Sequence, residues 1–452
     1  MIWKISKVLS LAMIAILLMG LVGCTAPATQ ATQESGEPAA PAAPAASGEG
    51  KVLKFWHWEA EDTAQSQSWE LAMAKFQEKH PDVTIEFERK TFEGMQQNMQ
   101  MILNSDDVPD LTELNKGNAT AGLFSKQGLL TDLTEVAAQR GWNDILSPSI
   151  QTTCRYTDQG LMSDEGKLYG ITTYGEFIMV YYNKTMFEER GLAIPTNYEE
   201  FQAVAQAFLD EGVQPMSIGG ADNWTWTHNW QELLLYKADR QMINDFQFLT
   251  GNVDFHNEAF TFATEELANQ VKSGYYGDGY NGTVGDDASL AFSTGKVPMY
   301  LSGSWSFGGF LSSIQDFEWD IFLMPGKNYT TGSGGNLFVV PAKAKNKELA
   351  YELMDMLLDA EVQTEMANKG GIPVNADTSK IEDPHVKTLN EAFASIVEND
   401  GLAFYPDWPV PGFMDVLGAG LQEVAAGSKT PDAFLTEVQT AYDEGKAETL
   451  GQ

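Results

Sequence analysis

The stretch KVLKFWHWEAEDTAQSQSWELAMAKFQEKHPDVTIEF, residues 51–87, decides the fold. Val52 to Trp56 is a short β-rich run. After a loop, Trp69, Met73 and Phe76 recur at helical spacing until His80-Pro81 stops them. Val83, Ile85 and Phe87 then alternate as a strand does. Strand, helix and strand in that order make a β-α-β unit of the kind that builds parallel sheets. The same alternation continues downstream. Pro195-Thr196-Asn197-Tyr198-Glu199 reads as a helix start capped by Thr196 with Glu199 three residues later, followed by a buried stripe of Phe201, Val204 and Phe208. Further helices are expected through Phe260, Ala263, Leu267 and Val271, and through Leu349, Leu353, Met356 and Leu357. Strands are expected at 297–302, 320–323 and 337–340. This predicts an α/β fold in lobes, a class that holds ligands in crevices beyond the carboxyl ends of its strands.

Working outward toward the N-terminus, Lys4 and Lys7 precede a nearly all-apolar run from Val8 to Val22, with small Gly23 before Cys24. Charged, apolar and small-residue regions in that order are the parts of a secretory signal. The run is shorter than the roughly 20 residues a bilayer-spanning helix needs. Leu21-Val22-Gly23-Cys24 resembles a bacterial lipobox, which implies cleavage before Cys24, a signal peptide over residues 1–23 and a lipidated, palmitate-bearing Cys24 anchored in the membrane surface. Residues 24–50, almost purely Ala, Pro, Thr, Gln, Glu, Ser and Gly, contain no large apolar side chain and read as a disordered spacer, semi-extended around Pro38, Pro41 and Pro44.

Charge and cysteine content narrow the partners. The net charge of −35 becomes −37 once Lys4 and Lys7 depart. No Lys/Arg cluster offers a footprint for phosphates, so nucleic acid is not expected as a partner. With Cys24 lipidated, Cys154 has no intrachain partner and reads as a small core residue. The five histidines, His57, His80, His228, His256 and His385, have no metal-site spacing, and neither a metal nor a cofactor is expected. Length favours two lobes in a monomer.

Catalytic motifs do not assemble. Gly277-Asp278-Gly279-Tyr280-Asn281-Gly282 spells the dinucleotide pattern but follows a helix-like segment, and it reads as a loop. Thr294-Gly295-Lys296 has Leu290 where a phosphate loop needs glycine and Val297 where it needs a hydroxyl. No Gly-x-Ser-x-Gly elbow surrounds Ser304, Ser306 or Ser333. Acid pairs such as Glu59 with Glu61, or Asp286 with Asp287, are expected by chance among 63 acids, so a glycosidase or lyase is the least favoured reading.

Aromatics say more than acids do. Trp56, Trp58, Trp224, Trp226, Trp230, Trp305, Trp319 and Trp408 mostly sit beside loop residues. A tryptophan at a cleft edge can lay its face on a sugar and donate its indole N–H to a hydroxyl.

That setting resembles the family 1 extracellular solute-binding proteins of bacterial ABC importers, which include maltose- and oligosaccharide-binding proteins. The likeness runs nearly from Lys51 to the C-terminus, through Phe55-Trp56-His57-Trp58, Val108-Pro109-Asp110-Leu111, Gly128-Leu129-Leu130, Gly166-Lys167-Leu168-Tyr169-Gly170-Ile171, Tyr182-Asn183-Lys184-Thr185-Met186-Phe187, Gly191-Leu192 and Pro195-Thr196. The most diagnostic block is Ala291 to Met299 with Gly303-Ser304-Trp305; Asn346 to Ala350 and Gly370 to Val374 complete it.

The resemblance implies a type II, maltose-binding-protein-like periplasmic-binding fold of two lobes with a cleft between them. Residues 51–170 and 331–380 would form the N-terminal lobe, 171–330 and 381–452 the C-terminal one. It places Trp58 and Glu59 after the first strand, Asn115 after the strand that follows Asp110, and Tyr174 and Glu176 at the hinge. It gives Asp222, Asn223, Trp224 and Trp226 to a second-lobe loop, Trp305 to a stacking platform, Gly335 and Asn336 to a backbone loop, and Asp407 and Trp408 to a late cleft edge. Where maltose-binding relatives carry an aromatic and charged cluster, this chain has Asn115, Lys116, Gly117 and Asn118, which speaks against maltose itself. The function implied is a non-enzymatic, lipid-anchored receptor on the outer face of the cytoplasmic membrane that hands a sugar, an oligosaccharide by preference, to the permease subunits. An aromatic cage for a quaternary amine or polyamine is the alternative on the same scaffold.

Overall fold

The computed structural model describes residues 51–146 and 148–452. The signal segment, Cys24 and the spacer lie outside the described residues. Among the described residues no helix is long and apolar enough to cross a membrane.

The opening unit forms as its pattern dictates. Strand β1 (Lys51–His57) buries Leu53, Phe55 and His57 on one face. Helix α1 (Ala64–Lys79) is capped by Thr63, whose hydroxyl accepts from the Ser66 amide at 3.1 Å, and ends at His80 before Pro81. It buries Trp69, Ala72 and Phe76; Met73, expected in the stripe, is half-buried because Ala72 faces the core instead. Strand β2 (Val83–Arg89) lies parallel to β1, with Lys51 opposite Val83. Helix α2 (Phe92–Asn104) leads to β3 (Leu111–Leu114), also parallel to β1 and buried at all four residues.

Next come β4 (Ile171–Thr172) and β5 (Gly175–Asn183), the latter buried throughout. Helix α3 (Tyr198–Asp210) buries Phe201, Val204 and Phe208 as expected, but its cap is one residue later than Thr196. Asn197 accepts from the Glu200 amide, while Glu200 reaches back to the Thr196 N–H and hydroxyl at 2.8 and 2.9 Å. An amide side chain at the cap with a reciprocal carboxylate satisfies the free N–H groups there equally well.

Among the elements that follow are β6 (Met216–Ser217), α4 (Asn223–Leu234), α5 (Glu258–Lys272), α6 (Gly285–Ser293), β7 (Met299–Gly303), β8 (Trp319–Phe322), β9 (Thr330–Gly334), β10 (Leu337–Val339), α7 (Lys347–Leu357), α8 (Ala360–Asn368), β11 (Leu402–Ala403), α9 (Phe413–Ala425) and α10 (Pro431–Leu450). The strands expected near 297, 320 and 337 are β7, β8 and β10. Phe260, Ala263 and Leu267 are buried in α5, and Leu349, Leu353 and Leu357 in α7. Residues 277–282 form turns and a single 3-10 turn, as their composition predicts.

Two sheets centre the two lobes. One has the order β2-β1-β3-β10-β4, the other β11-β9-β5-β7-β6, with β8 also paired to β5. The chain passes from the first sheet to the second between β4 and β5, through Thr173 and Tyr174, and returns between β9 and β10, through Gly335 and Asn336. These crossings touch: the Gly335 amide donates to the Tyr174 carbonyl at 2.6 Å. A Cβ on Gly335 would sit 2.4 Å from the Tyr174 ring, so only glycine lets the two strands run this close. A third segment joins them where the Gly175 amide donates to the Ile372 carbonyl at 2.7 Å.

Candidate ligand-binding cleft

The cleft's floor grows from strand ends of the first sheet. Trp58 and Glu59 follow β1, and Asn115, Lys116 and Gly117 follow β3, so parallel strands deliver them to one edge. Lys116 is buried, with 1% of its side chain exposed. Its Nζ donates to Glu176 Oε1 at 2.6 Å and to Asn336 Oδ1 at 3.2 Å, and it stands 5.2 Å from the Trp408 ring and 5.7 Å from the Tyr405 ring. A single ammonium thus ties the loop after β3 to the hinge strand β5 and the return crossing. Tyr174, at the outgoing crossing, accepts from the Asn336 backbone and side-chain amides at 3.2 Å each.

Acids crowd around that one cation. Glu59 is 8% exposed, and its pKa rises to about 7, first because burial removes water and then because Glu176 carries like charge; Lys116 and Tyr174 pull the other way. Glu113, in the middle of β3, is fully buried; burial and the charge of Glu59 push its pKa well above the carboxylate range. Its Oε2 accepts from the Trp58 amide at 3.1 Å. Asp407 is likewise buried and raised to about 6, mainly by burial, with Lys116 and Asn115 opposing.

The wall is aromatic and belongs to the second lobe. Trp224 and His228, four residues apart on α4, share one helix face with Glu232. Trp305, just after β7, meets Trp224 edge-on at 6.0 Å and 74°, and lies 5.7 Å from the His228 ring. Trp224 and Trp305 are half-buried, each leaving surface for a ligand. His228 continues the row to Tyr405 at 5.0 Å and Tyr405 to Trp408 at 5.3 Å, bringing the wall to the Lys116 floor. Burial and the Lys116 charge drive the His228 pKa down to about 3, so its imidazole is neutral. Glu232 anchors this helix: Oε1 accepts from the Thr331 amide of β9 at 2.8 Å, and Oε2 pairs with buried Lys327 at 2.7 Å.

Of the residues expected in the cleft, Trp58, Glu59, Asn115, Tyr174, Glu176, Asn336, Asp407, Trp224 and Trp305 converge on this floor and wall, with Gly335 as the backbone spacer beside Tyr174. Trp58 contributes an edge-on contact to Phe92 at 5.5 Å. Trp408 is present but only 3% exposed, pressed against Gly117. Trp226 does not belong. It is fully buried among Tyr276 and Tyr280, and its indole N–H is spent on the Gly220 carbonyl at 2.9 Å, because two residues along a helix turn a side chain to the opposite side from Trp224. Asp222 and Asn223 are half-buried but occupied: Asp222 Oδ2 accepts from the Gly285 amide at 2.7 Å, and Asn223 packs on Gly418 of α9.

Sequence reasoning missed Glu113, Lys116, His228 and Tyr405. His228 was recoverable from its i, i+4 spacing to Trp224. Glu113 was signalled by a lone acid inside the short apolar run after Asp110. Lys116 and Tyr405 gave no local pattern, since their roles depend on which chain segments cross beside them.

Known proteins resemble this chain in sequence and in fold. The galactooligosaccharide-binding protein of Bacillus subtilis is 24% identical over 427 residues, 90% of this chain and 92% of that one. The multiple sugar-binding protein of Streptococcus mutans serotype c is 23% identical over 292 residues, 60% of this chain and 63% of that one. A solved chitin oligosaccharide binding protein superposes with a TM-score of 0.76 at 20% identity, covering 88% of this chain and all of its own, which is a likeness of fold. The family model for the bacterial extracellular solute-binding proteins matches residues 60–364. With that span matched, and two sheets joined by adjoining crossings at an acid-floored, tryptophan-walled cleft, the chain belongs to the bacterial extracellular solute-binding proteins.

Proposed function

We propose that this protein is the lipid-anchored receptor of an ABC importer, held by Cys24 on the outer face of the cytoplasmic membrane, and that it captures a neutral oligosaccharide between its lobes and hands it unaltered to the permease. The lobes are taken as 51–172 with 337–380, and 175–334 with 381–452, the expected bounds shifted by a few residues so that β4 stays with the first sheet and β9 with the second. The supporting observation is the pairing of a half-buried Trp224–Trp305 corner with a floor of carboxyls and amides. Indole faces cover the apolar C–H faces of pyranose rings, while Glu59, Asn115, Asn336 and Asp407 exchange hydrogen bonds with hydroxyls. A glycan touching both lobes favours closure by the difference between its affinities for the closed and open states. The names of the Bacillus and Streptococcus relatives favour the same ligand class. Against an anionic ligand, Lys116 is already engaged by Glu176 and Asn336.

Titration calorimetry with galacto-, chito- and xylo-oligosaccharides tests the reading. A saturable one-to-one heat with at least one series is expected, and heats indistinguishable from dilution throughout would end the carbohydrate assignment.

A further inference from the structure

We propose that the Glu59–Glu113 pair under the cleft couples glycan capture to the uptake of one proton. This rests on the oligosaccharide reading of the cleft and adds a regulatory property to it.

The geometry comes first. Glu113 projects from the middle of β3 into a fully buried position, and the bond from the Trp58 amide to its Oε2 brings its carboxyl under the residue adjoining Glu59. Its Oε1 is buried with no hydrogen-bond partner. Glu59 lies above it with 8% of its surface open. The groups facing this pair are Lys116 from the loop after β3, Tyr174 and Glu176 from the hinge crossing and β5, and the Asn336 amide from the return crossing. Only Lys116 is cationic among these, and its ammonium is bonded to Glu176 and Asn336 rather than to either acid of the pair. Two carboxyls this buried, sharing one already engaged cation, do not both carry charge. The directions agree: burial and the charge of Glu59 hold Glu113 well above the carboxylate range, and Glu59 titrates at about 7.

Ligand capture then acts on Glu59. A glycan laid over the floor removes its remaining water and brings no net charge, so the protonated carboxyl is favoured further, and its O–H can donate to a ligand oxygen. The complex therefore holds the proton more tightly than the open protein. Affinity is full below about pH 7 and falls above it, by up to about tenfold per pH unit for one proton.

The test is calorimetry on the full chain, with the glycan giving the largest heat, at several pH values in phosphate and in Tris, whose ionisation enthalpies differ. Buffer-dependent heats corresponding to proton uptake, and a dissociation constant that climbs above neutral pH, are expected. Glu59→Gln should erase both, whatever affinity it leaves, and Glu113→Gln should keep the pH window within about half a unit of the parent's, since the pair's proton rests on the fully buried Glu113 and an amide there changes no charge. Equal heats in the two buffers, or proton release on binding, would overturn the proposal. Carbon-13 NMR of the glutamate carboxyls in the ligand-free protein separates the two readings. One carboxyl titrating near neutrality and absent from Glu59→Gln supports the pair, whereas titration of every glutamate below about pH 5.5 sinks it even if a glycan binds. Should no glycan bind while that neutral titration persists, the ligand reading falls and takes the coupling with it, but the proton-holding pair stands.

Discussion

The floor and the wall of the cleft are held by opposite means. On the floor, Lys116, Glu176, Asn336 and Tyr174 form one hydrogen-bonded network spanning both crossings, and every member depends on the others for its charge or its direction. On the wall, Trp224, His228 and Trp305 meet through ring contacts, one edge-on and two tilted, and α4 supports them at a distance through Glu232 and its bonds to β9 and Lys327. A buried polar network fails when one member is lost, because what remains is an unpaired charge in a poor solvent. A ring corner loses contact area and little else. Floor variants are therefore expected to act on stability and binding together, and wall variants on binding alone.

The largest effect is expected where the network has its single cation. Lys116→Met leaves Glu176 buried without its ion-pair partner and strips the nearby acids of their only counter-charge. A loss of about 3–5 kcal/mol in unfolding free energy is expected, with glycan binding abolished. Pairing it with Glu176→Gln should restore most of the stability and none of the affinity. Chemical denaturation beside calorimetry reads both. If the single variant unfolds like the parent, the floor is not a cooperative unit.

Next to it, Gly117 carries φ +89° and lies against Trp408, where a Cβ would come within 2.5 Å of the Trp408 Cβ. Gly117→Ala forces both the backbone and the packing, with about 2–3 kcal/mol lost and the Trp408 fluorescence environment altered. An unchanged denaturation midpoint would mean that the segment around Trp408 moves freely over the floor.

On the wall, Trp305→Ala removes a half-buried ring that packs beside Gly303, Trp224 and His228 and that, on the proposed reading, turns its open surface to the ligand. About 2 kcal/mol of binding, or roughly 30-fold in dissociation constant, is expected, with the melting temperature of the ligand-free protein within about 1 °C of the parent's. A large drop in melting temperature with unaltered affinity would turn Trp305 into a core residue.

How much of this was readable in advance follows the same division. The β-α-β opening, the helix stripes of α3, α5 and α7 and the strands near 299, 319 and 337 were legible, because hydrophobic period is a local property. So was the candidacy of Trp224 and Trp305, through the resemblance. The floor was legible only in part. Glu59, Tyr174 and Glu176 were carried over by motif, but Lys116 acquires its role from Glu176, 60 residues on, and from Asn336, 220 residues on. No local pattern encodes such a meeting. Trp226 shows the converse failure: the resemblance implies a cleft loop for this tryptophan-rich run, whereas it is a helix, and helical geometry sends alternate residues to different sides.

The smallest effect sharpens where the wall ends. Asp222, expected to touch ligand, instead gives its carboxylate to the Gly285 amide at the start of α6 and makes no side-chain cap for its own helix α4. An anionic oxygen at a helix N-terminus is favoured by the free N–H groups and the helix dipole there. Asp222→Asn keeps an acceptor but loses the charge, so about 0.5–1 kcal/mol of stability is expected to go, more at low salt than at high. Glycan affinity should stay within about twofold, since Trp224 next door is held by the α4 backbone and not by this carboxylate. A tenfold loss of affinity with unchanged stability would return Asp222 to the cleft and extend the wall's polar rim two residues beyond Trp224.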